Sequence, residues 1–86
     1  MPRKGQRSYT YHGVRFEWEG GEYVDVTMPG AEYPIDVINV WDYEAGEPTI
    51  PRVRTRADRE LFVATCRAWY DGLTPAELAD YRMASC

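Results

Sequence analysis

Val14, Phe16 and Trp18 alternate with Arg15, Glu17 and Glu19. A period of two suits a strand with one buried and one charged face, and no helix would place those three apolar side chains together. Glycine-rich links bracket the segment. His12-Gly13 separates it from Ser8–Tyr11, and Gly20-Gly21 separates it from Glu22–Met28. Both links suit tight hairpins, because glycine adopts positive φ without cost and histidine tolerates it better than most residues. In the third segment Val24, Val26 and Met28 fall on one face and Tyr23, Asp25 and Thr27 on the other. A turn-rich connection, Pro29–Pro34, leads to a fourth segment, with Pro34 at the strand entrance, where its missing N–H does no harm.

The fourth segment has a different pattern. Ile35, Val37, Asn39 and Trp41 share one face, and Asp36, Ile38, Val40 and Asp42 the other. Apolar residues in the middle of both faces fit a central strand covered on two sides, or a strand with a helix over one face and a partner over the other, and the two-sided central strand is the reading taken. Gly46 and Pro48 then end it.

From Thr55 the apolar spacing lengthens to that of a helix. Thr55 and Asp58 form a capping-box pattern, and Gly72 stands where a C′ glycine would end the helix. Leu61, Ala64, Thr65 and Ala68 make one stripe, and Phe62, Cys66 and Trp69 a second beside it. Together they predict an apolar face wide enough to cover a small sheet. Thr74 as N-cap, Pro75 at N1 and Glu77 at N3 start a short second helix, with Leu78, Tyr81 and Arg82 facing inward. The expected fold is α+β: an antiparallel β-meander of about four strands, then one long helix packed on the sheet and a short C-terminal helix.

Eighty-six residues make one domain, read as a basic flexible leader over residues 1–7 and a single α+β domain over residues 8–86. No run approaches the ~18 apolar residues of a membrane span, and no apolar segment follows the basic N-terminus as a secretory signal requires. Cys66 lies within the long helix and Cys86 at the chain end, a pair better read as two reduced thiols than as a disulfide framework. Arg3, Lys4 and Arg7 supply three positive charges, so the net −4 leaves −7 on residues 8–86. Such a body repels phosphate backbones and disfavours nucleic acid as a partner.

The residues select no catalytic chemistry. His12, the one histidine, falls in a turn with no cysteine or carboxylate at metal-ligand spacing, and Ser8 and Ser85 lie near the termini. Phosphate-binding loops and zinc-protease or redox motifs are absent from the sequence. Asp36 and Asp42, on one strand face, would stand about 20 Å apart, too far for paired acid–base work. Asp42, Glu44 and Glu47 lack the spacing of a calcium loop, and Cys66 on an apolar stripe reads as core filler. No metal or cofactor is expected, and the protein is read as a non-enzyme.

Seven tyrosines and three tryptophans exceed what so small a core can hold. Both residue types are enriched at binding hot spots, because they bury large areas at low entropic cost. The candidate partner-binding residues are Tyr33, Trp41, Asp42, Tyr43 and Glu44, where the fourth strand leaves the core. The phrase Asp36–Ile50, followed by a short arginine-rich helix, resembles small uncharacterised accessory proteins of actinobacterial phages over residues 36–70. A composition rich in arginine and nearly free of lysine, asparagine and glutamine agrees with a GC-rich source. The resemblance implies an accessory protein of the host-cell cytosol that binds another macromolecule.

Three functions stand at this point. The first is a binding module whose acidic surface meets a basic surface on a host or phage protein, modulating or inhibiting it. The second is a virion component or homo-oligomeric assembly protein. The third is a nucleic-acid-binding regulator using the cluster Arg52, Arg54, Arg56 and Arg59.

Overall fold

A computed structural model describes residues 7–50 and 53–84. Strands β1 (Arg7–Tyr11), β2 (Val14–Trp18), β3 (Tyr23–Thr27) and β4 (Asp36–Asn39) form an antiparallel sheet in sequence order. A two-stranded ribbon follows, β5 (Trp41–Asp42) and β6 (Glu47–Pro48), and then helices α1 (Arg56–Asp71) and α2 (Pro75–Ala84). This is the expected meander and helix order. Of the expected leader, residues 1–6 lie outside the described residues, but Arg7 does not belong to it: Arg7 opens β1 opposite Trp18.

The β1–β2 turn carries positive φ at both His12 (51°) and Gly13 (79°), the backbone that matches right-handed strand twist in a two-residue hairpin. A Cβ on Gly13 would stand 3.0 Å from the Pro29 ring, so glycine also answers a close approach there. Register pairs Phe16 with Tyr9 and Val26, and Trp18 with Val24. Alternation therefore gathers Val14, Phe16, Trp18, Val24 and Val26 on one face, all buried. Helix α1 covers that face: Phe62 stacks on Trp18 with centroids 6.2 Å apart, and Trp69 meets Phe16 edge-on at 5.9 Å. Cys66 is buried between them in the helix, and burial pushes its thiol up to about 12, as befits core filler.

Both helix starts follow the sequence. Thr55 Oγ1 accepts from Asp58 N at 3.2 Å while the Asp58 carboxylate accepts from Thr55 N at 3.3 Å. Thr74 and Glu77 repeat that exchange at 3.1 and 3.0 Å. The end of α1 differs from expectation, because Gly72 is its C-cap in right-handed backbone (φ −80°) and needs no glycine-specific conformation. Of the two stripes on α1, Phe62, Cys66 and Trp69 pack, whereas Leu61, Ala64 and Ala68 are exposed, Leu61 by 44%. A four-stranded sheet two or three residues deep is too narrow to cover both stripes. On α2, Leu78 and Tyr81 face the core, but Arg82 is exposed rather than inward. Thr27, on the face of β3 opposite Val24 and Val26, is nevertheless buried, as the one polar residue so placed among those described.

The principal correction concerns the fourth segment. It is not a two-sided central strand. Among the described residues β4 is an edge, with β3 on one side and no strand on the other, and Val37 is 43% exposed. Its register with β3 turns Asp36 and Ile38 toward the helices and Val37 and Asn39 outward. The ladder ends at Asn39, whose side-chain Oδ1 accepts the Trp41 N–H at 2.9 Å and turns the chain out of the sheet. Asp36 and Asp42 thus belong to different sheets rather than to one strand face. The inward Asp36 carboxylate accepts a hydrogen bond from the Tyr81 hydroxyl, which anchors α2 across β4. That bond, with burial second, pushes the Tyr81 phenol up to about 12.

Candidate functional site

The ribbon is fixed at its base by two apolar side chains. Val40 and Ile50 are 1% and 2% exposed, and between them Thr49 donates to the Val40 carbonyl through both its N–H (2.6 Å) and its hydroxyl (3.2 Å). The tip is closed by Asp42, whose Oδ1 accepts from Glu44 N at 3.0 Å and Ala45 N at 3.1 Å. Its carbonyl accepts from Gly46 N at 2.8 Å, with Gly46 at φ 70°. An aspartate that binds the backbone two and three residues on mimics a turn and holds it. Asp42 builds the turn, and the turn presents its neighbours.

Tyr43 is 67% exposed on that turn. Its hydroxyl accepts from Asn39 Nδ2 at 3.2 Å, so Asn39 fixes both the chain reversal and the ring. Tyr23, paired with Asn39 across β3–β4, lies against Tyr43. The Tyr43 phenol and the Glu22 carboxylate hold the Tyr23 phenol above its ordinary value. The β2–β3 loop reaches the same end of the sheet: Val40 N donates to Glu22 O at 2.8 Å, and Trp18 Nε1 ties the loop down through Gly21 O at 3.0 Å. Half-buried Trp41 lines a groove of about 580 Å³ with Gly20, Pro48 and Ile50.

Acidic charge surrounds these rings. Glu22, Asp42, Glu44 and Glu47 stand on the loop and ribbon, and the outer sheet face continues the field with Glu17 opposite Asp25. Burial first, then Glu17 and Glu19, raises the Asp25 carboxyl above the usual range. Arg15, paired with Glu17 at 2.8 Å, is the one basic residue between positions 15 and 47.

Of the five residues expected at the site, Trp41, Asp42, Tyr43 and Glu44 stand on one ribbon. Tyr33 does not join them. It lies in the β3–β4 loop, 77% exposed, before the start of β4, while Tyr43 follows its end. Strand rise alone puts about 13 Å between those ends. Tyr23, Asn39 and Glu22 were missed. The β3–β4 register sets Tyr23 beside Asn39, and the long connection between those strands leaves that register unmarked in the sequence.

Other residues considered for chemistry have structural occupations. His12 stacks on Tyr70 at 4.9 Å and meets Tyr11 edge-on at 4.3 Å. The Tyr11 hydroxyl donates to Asp71 at 3.0 Å, a bond that raises its phenol pKa. Among the described residues, no three His, Cys, Asp or Glu side chains converge to hold a metal ion, and no helix is long and apolar enough to cross a membrane. Cys86 and Arg52 lie outside the described residues.

Fold and site together describe a small α+β module with a hydrogen-bonded acidic, aromatic ribbon at one end of its sheet. Comparison with known proteins found no protein family, curated protein or solved structure that matches the chain.

Proposed function

We propose that this is a non-enzymatic binding protein whose acidic, aromatic end engages a basic surface on a host or phage protein in the cytosol and so modulates that protein. The observation that carries the reading is Tyr43, two-thirds exposed yet held by Asn39 and by the Asp42 turn, with Tyr23 beside it and carboxylates around both. A large exposed ring is ordinarily mobile. Fixing one in advance lowers the entropy lost on binding, which is how rigid aromatic anchors gain affinity. The surrounding carboxylates steer a cationic surface toward the rings, and arginine guanidinium groups suit both, since they pair with carboxylates and stack on aromatic faces.

The reading is tested by affinity purification from source cells with the wild type and with a Tyr43→Ala/Asp42→Asn variant. A partner that co-purifies with the wild type and is reduced at least tenfold by the variant supports it. Equal recovery with both contradicts it.

A further inference from the structure

Eight of the ten basic residues fall within positions 3–7 and 52–67, and nine of the fourteen acids fall within 17–47. Of the described members of the first group, Arg7, Arg59 and Arg67 meet where β1 lies against the start and body of α1. Arg7 Nη2 and Nε donate to the Val53 carbonyl at 2.7 and 3.1 Å, which sets the start of β1 against the arginine-rich approach to α1. Along α1, Arg59 and Arg67 converge on β1. Their guanidinium carbons stand 6.0 and 5.9 Å from the Tyr9 ring centroid, and Arg67 Nε donates to the Tyr9 hydroxyl at 2.7 Å. Eight residues of helix put them about 12 Å apart, and neither has a carboxylate within ion-pair distance among the described residues. Arg54 and Arg56 are exposed at the head of the same helix. β1 and β4 are opposite edges of the sheet, roughly 14 Å apart at the usual strand spacing, and the acidic ribbon follows β4.

We propose that the arginine edge formed by β1 and α1 is the complement of the acidic ribbon on a second copy of this chain, so that copies associate head to tail. The inference rests on the binding role proposed for the ribbon and names a partner for it. The ribbon presents carboxylates and tyrosine rings, and the edge presents the Arg59 and Arg67 guanidinium groups, seated on the Tyr9 ring and outside ion-pair distance of any described carboxylate. Unlike surfaces joined in this way make a heterologous contact, which extends into chains or closes into rings. The net charge of −4 on each copy opposes approach at very low salt. Near 0.1 M salt a screening length of about 10 Å removes most of that repulsion and spares pairs in contact, whereas salt near 1 M weakens both.

The test uses Glu44→Gln/Glu47→Gln, which blunts the ribbon, and Arg59→Gln/Arg67→Gln, which blunts the edge. Because Arg59 and Arg67 also pack on Tyr9, the exposed pair Arg54→Gln/Arg56→Gln provides an edge variant free of packing losses. Sedimentation of the wild type at 0.1 M salt, from about 10 μM to 1 mM, is expected to show mass rising from the 10.0 kDa monomer to at least twice that and falling back at 1 M salt. Each variant alone is expected to stay monomeric. A ribbon variant mixed with an edge variant is expected to form a 1:1 species that grows no further, since one intact surface remains on each.

The proposal is overturned if the wild type stays at 10.0 kDa throughout. It is also overturned if neither variant changes the assembly, or if the edge retains a single-stranded oligonucleotide while no self-association occurs. A monomeric wild type that still loses a different protein partner on Tyr43→Ala/Asp42→Asn substitution overturns this inference alone and leaves the ribbon's binding role standing.

Discussion

Val37 and Val40 lie three residues apart in one phrase of sequence, and their substitution separates a strand open to solvent on one face from a strand covered on both. Val40 is 1% exposed beneath the ribbon, and Val37 is 43% exposed on the outer face of β4. Valine to alanine removes two methyl groups, worth about 1.6 kcal/mol in transfer when fully buried, and a well-packed site adds a cavity term. Val40→Ala should therefore cost about 2 kcal/mol. At Val37 little more than half of the transfer applies, and no cavity forms against solvent, so the expected cost is below about 1 kcal/mol. For a domain of this size each kilocalorie moves Tm by roughly 4–8 °C, giving a loss near 8–16 °C for Val40→Ala and under 8 °C for Val37→Ala. Urea titrations followed by tryptophan fluorescence, to which buried Trp18 contributes, measure both, with unchanged slope required for the comparison. Equal losses at the two positions would refute the solvent-exposed outer face of β4, because a strand covered on both faces would lose a similar amount at each.

Other consequences follow from single contacts. Tyr81→Phe removes the donor to the inward Asp36 carboxylate and should cost about 1–2 kcal/mol, the low end for a bond to a charged acceptor because the site is partly open. The Tyr81 phenol is raised above its unfolded value of 10.0, so its contribution is complete below pH 10 and is lost as pH rises toward about 12; thermal melts of wild type and Tyr81→Phe should converge over that interval. Thr55→Ala removes the acceptor for Asp58 N at the start of α1 and should lower stability by about 1 kcal/mol, read by denaturant midpoint. In a Cys86→Ser background, Cys66 should resist a thiol reagent at pH 8 and react at once in denaturant, since burial holds its thiol near 12; rapid labelling of the native protein would contradict that burial.

Much of the fold was legible because local signals and packing agree. The alternation at Val14–Trp18 and Val24–Met28 encodes the buried sheet face, and Thr55-x-x-Asp58 and Thr74-x-x-Glu77 mark both helix starts to the residue. The fourth segment misled for a physical reason. Apolar residues on both sides of Asp36–Trp41 have two readings, a strand covered twice or a strand that ends and re-aims its last side chains. The second holds here, through Asn39 and the Trp41 N–H. Val40 is buried because the chain has already turned, not because β4 has two covered faces. The candidate site was readable as far as Trp41, Asp42, Tyr43 and Glu44, which are neighbours in sequence. Tyr23 and Glu22 come from another hairpin, and only the register brings them there. The gathering of Arg7 with residue 53 spans 46 positions and has no local signature at all.

The central claim is that the ribbon end is the surface that meets a partner. Amide shifts of labelled protein, followed while a co-purified partner is added, test it residue by residue. The account expects the largest changes at Glu22, Tyr23, Asn39 and Trp41–Glu47, with their loss in Tyr43→Ala. Changes centred instead on α2 or on the exposed stripe of Leu61, Ala64 and Ala68, with the ribbon silent, would contradict it.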